Sequence, residues 1–414
     1  MSADEIVARA GSAAQGAHER LAGADAPALR RVLASMARRL VEAAAPVLAA
    51  NARDVAAADG ALAPALVDRL RLDAGRLEAM SRQIEELSGL DDVPAHAGTR
   101  ALAGALEVHE MRRPVGVVGA NYEARPNVTI DVASQLLKSR NAGVLRTGSA
   151  ALGSALALHE HVIRPALAEG GIDPDVIQVL ASPEREAARA LVSQPGLIPL
   201  VILRGSGETT AALAREAAAH GVRTLAHAEG GGVLYLDRAA DPSVARALVA
   251  RSLDRLGVCN RLNLLLVAQE RWDEWSGVLV AQLEELGIRP SLPPHDHPLG
   301  HEWALDDGAE ATVTLAPAAG PRDAARTANV ETSGLAASIV TEDPAAAGEF
   351  LAAYSGTGAF WNASTRLLDG FVLLGAPETG INVDHVPGPR GPVTFRDLHL
   401  RQYVVVPAGT PPPA

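Results

Sequence analysis

The chain has 414 residues, 48% hydrophobic and 21% charged, which is the make-up of a globular protein with cores for two or three domains. A net charge of −12 argues against nucleic acid or an anionic membrane surface as partner, and no apolar run is long enough to cross a bilayer. The single cysteine cannot form an internal disulfide, and the start "MSADEIVARAGSAAQGAHERLAG" lacks the basic and apolar regions of an export signal, so the expected compartment is the cytoplasm.

Residues 1 to about 90 read as helices, with apolar residues at three-to-four spacing in "APALRRVLASMARRLVEAAAPVLAANARDVAAA". Near Ala101 the pattern changes to the alternation of a strand or hairpin, "ALEVHEMRRPVGVVGA". Strands and helices then alternate. "VGVVGA", "AGVLRTG", "DVIQVLA", "PLVILRG" and "VRTLAHA" are strands. "NVTIDVASQLLKS", "SAALGSALALHEHVIRPALAEGG", "EREAARALVSQ" and "SGETTAALAREAAAHG" are the helices between them. This succession predicts a parallel sheet covered on both faces. A second α/β unit starts near Gly232, with "GGVLYLD", "PSVARALVARSLDRLG", "NLLLVA" and "WDEWSGVLVAQLEELG". A Pro-rich loop and the strand, helix and strand of "GLAASIVTED", "AAAGEFLAAYSG" and "GAFWNAS" follow, then a late strand candidate and a Pro-rich tail.

Four stretches carry chemistry. "VILRGSGETTAALAREA" is a strand, a turn and a helix start. Its free amides suit an anion at Gly205 and Ser206, with Glu208 in the first turn; an ordinary capped turn would look the same. The spacing is not G-x-G-x-x-G, which disfavours a standard dinucleotide fold. In "VLRTGSAALGSALAL", Arg146 ends a strand just before Gly148 and Ser149, where a cation suits a ribose 2′-phosphate. "GANYEARPNVTIDVASQLLKSRNA" places Glu123, Arg125 and Asn127 in a loop at the carboxyl end of a strand, where α/β proteins bind ligands. Arg125 would hold a carboxylate and Asn127 would donate an amide N–H to an oxyanion. Lys138 is the chain's only lysine. Cys259 closes the loop "RLGVC" before the apolar run "LNLLLVA", and is either a small buried residue or a nucleophile. One cysteine cannot supply a zinc cluster, and His295, His297 and His301 in the Pro-rich loop read as solvated, so no metal is expected.

"YEARPNVT" at Tyr122–Thr129, the lone cysteine in "VCN", "NASTR" at Asn362–Arg366 and "HVPGPRGPV" at His385–Val393 together resemble the γ-glutamyl phosphate reductases of the aldehyde dehydrogenase superfamily. The resemblance runs in order along essentially the whole chain. It implies an aldehyde dehydrogenase-like α/β fold: a Rossmann-type NADPH domain over 1–100 and 115–231, a smaller α/β catalytic domain over 232–370, and a β-flap for oligomerisation from 101–114 and 385–406. A disordered tail over 407–414 completes the expected layout. It implies Cys259 as nucleophile and Asn127 as oxyanion donor. Glu123, Arg125, Lys138, Asn362, Ser364, Arg366 and Arg390 would bind substrate. Arg146, Gly148, Ser149, Gly205, Ser206 and Glu208 would bind NADPH. Glu229, in "HAEGGG", lies near the place of the water-activating glutamate of oxidising aldehyde dehydrogenases, which a reductase does not need.

The implied reaction is reduction of L-glutamyl 5-phosphate to L-glutamate 5-semialdehyde with release of phosphate, on the way to proline. Other implied partners are a second or fourth copy of the chain and the glutamate kinase that makes the acyl phosphate. Some segments depart from the family: "RTGSAA" lacks a lysine, "GLAAS" replaces a His-Ser, and "GAPETGINVD" differs in the C-terminal region. Two further readings therefore stand beside the first: a paralogue that reduces a related acyl phosphate or thioester, and a non-catalytic partner of the kinase.

Overall fold

The computed structural model describes all residues except Ala63, Ser206, Ala228, Glu229, Asp307, 382–390 and 413–414. The expectations for Ser206, Glu229, Arg390, most of the His385–Val393 motif and the last two residues of the tail lie outside the described residues. The chain divides into two compact units. One comprises Met1–Ala226, Ala376–Gly380 and Val393–Ala414; the other comprises His227–Gly375 and Ile381–Pro392.

The first unit opens with five helices, α1 (Ala3–Ala22), α2 (Ala26–Glu42), α3 (Ala44–Ala58), α4 (Pro64–Leu70) and α5 (Ala74–Gly89). Ser2 and Glu5 form a capping box at the start of α1. Leu29, Val32, Leu33, Met36 and Leu40 line the buried face of α2, the spacing of a 3.6-residue period. Strands β1 (His96–Leu102) and β2 (Leu106–Pro114) follow. The β/α alternation then runs β3 (Val117–Tyr122), α6 (Asn127–Lys138), β4 (Ala142–Thr147), α7 (Leu152–Leu158), α8 (Arg164–Glu169), β5 (Ile177–Val179), α9 (Arg185–Leu191), β6 (Leu200–Arg204), α10 (Gly207–His220) and β7 (Arg223–His227). The sheet order is β5-β4-β3-β6-β7, with β3 parallel to both neighbours. Every residue of β3 and β4 is buried, as a strand covered by helices on both faces must be. The single helix expected over 149–171 is broken by a wider π turn at His159–Ile163, just before α8. Pro165, in the first turn of α8, has no amide to donate into that ladder.

The second unit contains β8 (Gly232–Leu236), α11 (Pro242–Ser252), β9 (Leu262–Ala268), α12 (Trp272–Glu285), β10 (Arg289–Ser291), β11 (Thr312–Ala318), α13 (Pro321–Glu331), β12 (Ala336–Val340), α14 (Pro344–Ala353), β13 (Gly358–Trp361) and α15 (Gly370–Leu374). Its parallel sheet has the order β10-β11-β9-β8-β12-β13. Val233, Tyr235, Leu264 and Leu266 pack on one face, and Leu234, Leu236, Leu265 and Val267 on the other, the two-residue period of a strand. β10, β11, α13 and α15 are additional to the elements that the patterning predicts.

The first unit also holds an antiparallel three-stranded sheet, β1-β2-β14, in which the last strand β14 (His399–Pro407) pairs along the whole of β2. Gly104 and Ala105, both with positive φ, turn the chain between β1 and β2. The flap strands were expected over 101–114 and 385–406; these pairings set them at 96–102, 106–114 and 399–407.

Candidate active site

The strand order of the first sheet reverses at β3, so the crevice outside its carboxyl end is where such a sheet takes a ligand. Tyr122 ends β3, buried, and shares a 2.7 Å hydrogen bond with Thr129 Oγ1 in the first turn of α6. Burial raises this phenol above its ordinary range. The loop then passes through Ala124, whose φ of 33° stores about 1–3 kcal/mol of strain. Pro126 fixes the backbone where α6 begins, and the amides of Val128 and Thr129 donate to the carbonyls of Arg125 and Pro126, both at 3.1 Å. Asn127 is half-buried, and its Nδ2 donates to Asp131 Oδ2 at 3.0 Å. Burial pushes the Asp131 carboxyl up to about 6, against the opposing pull of Arg204, the Asn127 bond and Arg125.

The carboxyl ends of β4 and β6 carry the expected cofactor residues. Gly148 and Ser149 follow β4, and the Ser149 residue is exposed. Gly205 precedes α10, and Glu208 stands exposed in its first turn. A Cβ on Gly205 would lie 3.1 Å from Glu123 Oε1, so the Glu123 carboxylate stands close against this turn. Glu123 is thus turned toward Gly205, and its charge also acts on Arg146, beside the substrate contact expected of it.

Two expectations need correction. Arg146, expected at a 2′-phosphate, is 6% exposed. It donates to Asn121 Oδ1 at 3.0 Å, to the Glu184 carbonyl at 3.1 Å and to the Pro183 carbonyl, and so it pins the loop before α9. Lys138, expected at substrate, is 2% exposed. Its Nζ pairs with Asp92 Oδ1 at 2.8 Å, donates to the Leu90 carbonyl at 2.5 Å and lies over the Phe395 ring. Both cations have protein acceptors inside the first unit.

In the second unit, Cys259 sits half-buried in the turn between α11 and β9, at the amino edge of the sheet. Gly231 N–H donates to the Cys259 carbonyl at 2.7 Å. Gly230 is held at both ends: its amide donates to Glu302 Oε2 at 3.0 Å, and its carbonyl accepts from Ser333 Oγ at 2.7 Å. The side chain of Cys259 packs at the edge of Leu335, Ala336, Leu368 and Ile381. The next residue, Asn260, is latched by the "NASTR" segment. Thr365 Oγ1 donates to its carbonyl at 2.8 Å, Arg366 donates to its Oδ1, and its Nδ2 reaches the Leu368 carbonyl at 3.0 Å.

The same latch corrects the substrate contacts expected of that motif. Arg366 also pairs with Asp254 at 2.8 Å. Ser364 is buried against Ser252 Oγ at 2.8 Å, and the Asn362 amide closes a backbone turn with Thr341 at 3.0 Å. The histidines of the Pro-rich loop are half-buried rather than solvated, with the rings of His297 and His301 edge-on to Trp303 at 4.7 and 4.5 Å. A cleft of about 530 Å³ lies at the opposite, carboxyl edge of this sheet, lined by Tyr235, Asp237, Glu270 and Asp343. Asp237 is engaged there by the Tyr235 hydroxyl and Thr341 Oγ1.

Asp131, Arg185, Arg204 and Glu302 are the functional candidates that the motifs did not single out. The one available signal was Asp131, an acid four residues after Asn127 on a helix whose other residues from Val128 to Lys138 are buried. Arg185 opens the predicted helix "EREAARALVSQ" but belongs to no motif, and Glu302 sits in a stretch without a recognisable pattern.

The sequence model of the aldehyde dehydrogenase family matches residues 1–300. The gamma-glutamyl phosphate reductase of Novosphingobium aromaticivorans is 32% identical over 98% of this chain and 96% of its own length. That of Clavibacter michiganensis subsp. michiganensis is 35% identical over 98% and 95%. The crystal structure of the Thermotoga maritima gamma-glutamyl phosphate reductase superposes with a TM-score of 0.87 at 26% identity, over 97% of this chain and 98% of that one. An acetylating aldehyde dehydrogenase of Geobacillus thermoglucosidasius shares the fold alone, with a TM-score of 0.72 at 15% identity. With a cysteine turn before β9, an Asn-led helix after β3 and near-full-length identity above 30%, the chain belongs to the aldehyde dehydrogenase family and, within it, to the gamma-glutamyl phosphate reductases.

Proposed function

We propose that the chain reduces L-glutamyl 5-phosphate to L-glutamate 5-semialdehyde, with NADPH as reductant. The observation that carries this reading is Cys259, the chain's one thiol, held in a rigid turn by Gly230, Gly231 and the Asn260 latch. As a thiolate, Cys259 attacks the acyl carbon, and the phosphate leaves with the bonding pair. The Asn127 amide takes the role that the resemblance implies for it, a donor to the oxyanion that forms on the way. The cofactor, when bound, supplies the hydride that takes the resulting thioester to the aldehyde level. Collapse of the thiohemiacetal then returns the thiolate and frees the aldehyde. No water has to be activated in this direction.

The cofactor reading rests on the first unit. The leading amides of the fourteen-residue α10 and the Gly205 turn suit a pyrophosphate. With Arg146 buried, a cation near enough to serve a 2′-phosphate is Arg185, which is exposed, follows directly on the loop that Arg146 pins, and acts on Arg146 as a like charge. The same reading makes the β1-β2-β14 sheet a self-association surface.

The reverse assay tests the proposal. Wild-type protein with pyrroline-5-carboxylate, phosphate and NADP⁺ should generate NADPH absorbance. Cys259→Ser should lose at least about a thousandfold while still binding NADPH, because an alcohol is a far weaker nucleophile than a thiolate. Arg185→Ala should weaken NADPH binding about tenfold and leave NADH binding unchanged. Turnover of a different aldehyde but not of pyrroline-5-carboxylate would replace the substrate. Full activity in the serine variant would end the thioester mechanism.

A further inference from the structure

The loop after β3 ends in Asn127, and the first full turn of α6 brings Asp131 beneath it. The bond between them runs from Asn127 Nδ2 to Asp131 Oδ2 at 3.0 Å. A carboxylate only accepts, so its partner must be the amide nitrogen and not the amide oxygen. Asp131 therefore decides which way round the Asn127 amide sits. One of its N–H groups is committed to the helix, and the other stays available as a donor. Rotated by half a turn, the same side chain would offer its oxygen to an oxyanion and repel it.

The surroundings make Asp131 more than a helix-surface acid. Arg204 at the end of β6 and Arg125 in the loop before α6 act on it with opposite charge, and the Tyr122 hydroxyl at the end of β3 feels its negative charge. Its own carbonyl accepts from Ser134 Oγ at 3.1 Å, which fixes the helix backbone beneath the pair.

We propose that Asp131 is a positioning residue for acyl transfer, holding the Asn127 amide in the orientation that donates to the oxyanion. The proposal rests on the reading of Asn127 given above and adds to it the group that sets its orientation. It also gives the reaction an acid limb. As pH falls through about 6 the carboxyl takes a proton, its grip on the amide weakens and kcat declines.

The experiment is a double-mutant cycle in the reverse assay, with kcat measured from pH 5 to 8 and NADPH affinity by fluorescence titration. Asp131→Asn should lower kcat about ten- to hundredfold, because it misaligns one oxyanion donor without removing it. NADPH affinity should not change, and the limb near pH 6 should disappear. Asn127→Ala combined with Asp131→Asn should be no slower than Asn127→Ala alone, since the second change acts only through the first. Additive losses would make Asp131 a structural residue and overturn the proposal. So would wild-type kcat in Asp131→Asn, or an unchanged acid limb. Wild-type turnover in Asn127→Ala would remove the oxyanion reading and the proposal with it. A loss in Asn127→Ala that Asp131→Asn does not share would remove the proposal alone.

Discussion

At Gly230 a single methyl group would press on the turn that carries Cys259. A Cβ there would lie 2.5 Å from the Cys259 carbonyl oxygen and 2.7 Å from its Cα and Cβ. Those atoms belong to a turn already tied by Gly231 and Asn260, so they cannot step aside cheaply. Gly230→Ala should therefore cost about 1–3 kcal/mol of stability and at least about tenfold in kcat, with NADPH affinity unchanged. Urea unfolding and the reverse assay measure the two effects; unaltered kcat would show that the turn yields without moving the thiol. The place of Cys259 in a turn before a buried strand was legible because a lone cysteine before an apolar run is a short, local signal. Arg146 and Lys138 were misread for the opposite reason. Whether a cation faces ligand or protein depends on its acceptors, and those of Arg146 include carbonyls at Pro183 and Glu184, far along the chain. No local pattern announces them.

Helix α6 begins at Asn127, the proposed oxyanion donor, and ends at a structural residue. Lys138, its last residue, meets Asp92 in the connection between α5 and β1. Burial pushes the Asp92 carboxyl up, but the bond and charge of Lys138, with Arg140 beside it, outweigh this and hold it below the ordinary value. A carboxyl depressed in the fold adds stability above its unfolded value of about 3.9, and that stability is lost as pH falls through the lower folded value. Lys138→Met should thus cost about 1–3 kcal/mol at pH 7, and its deficit against wild type should shrink below about pH 4. Turnover should stay within about twofold, whereas a substrate-binding lysine would lose far more. A deficit that persisted undiminished at pH 3 would assign the contribution to packing over Phe395. The β/α alternation around this helix was readable because buried parallel strands are continuous apolar runs. The additional strand β11 is one too, "TVTLAPA", but it follows an irregular stretch and leads into a helix of low hydrophobicity, α13, so its neighbours hide it.

At the scale of the whole molecule, the question is what covers the β1-β2-β14 sheet. Val405 pairs with Val108, Tyr403 with Glu110 and Pro407 with Leu106, so Leu106, Tyr403 and Val405 share one face. All three are exposed, at 38%, 59% and 53%. β14 is also an edge strand nine residues long, with one row of backbone groups not paired within its sheet. A long, apolar edge of this kind invites another strand, and a chain with a net charge of −12 does not otherwise favour self-association. The oligomer predicted by the resemblance should therefore form through this sheet. In light scattering, wild-type protein should run as a dimer or tetramer. Tyr403→Asp combined with Val405→Asp should shift it to monomer, because each unpaired charge buried in an apolar interface costs several kcal/mol and two of them raise the dissociation constant at least about a thousandfold. The fold of each subunit should survive, since both positions are exposed on β14. A monomeric wild type would refute self-association. An unchanged oligomer in the double variant would move the interface to another face of the chain.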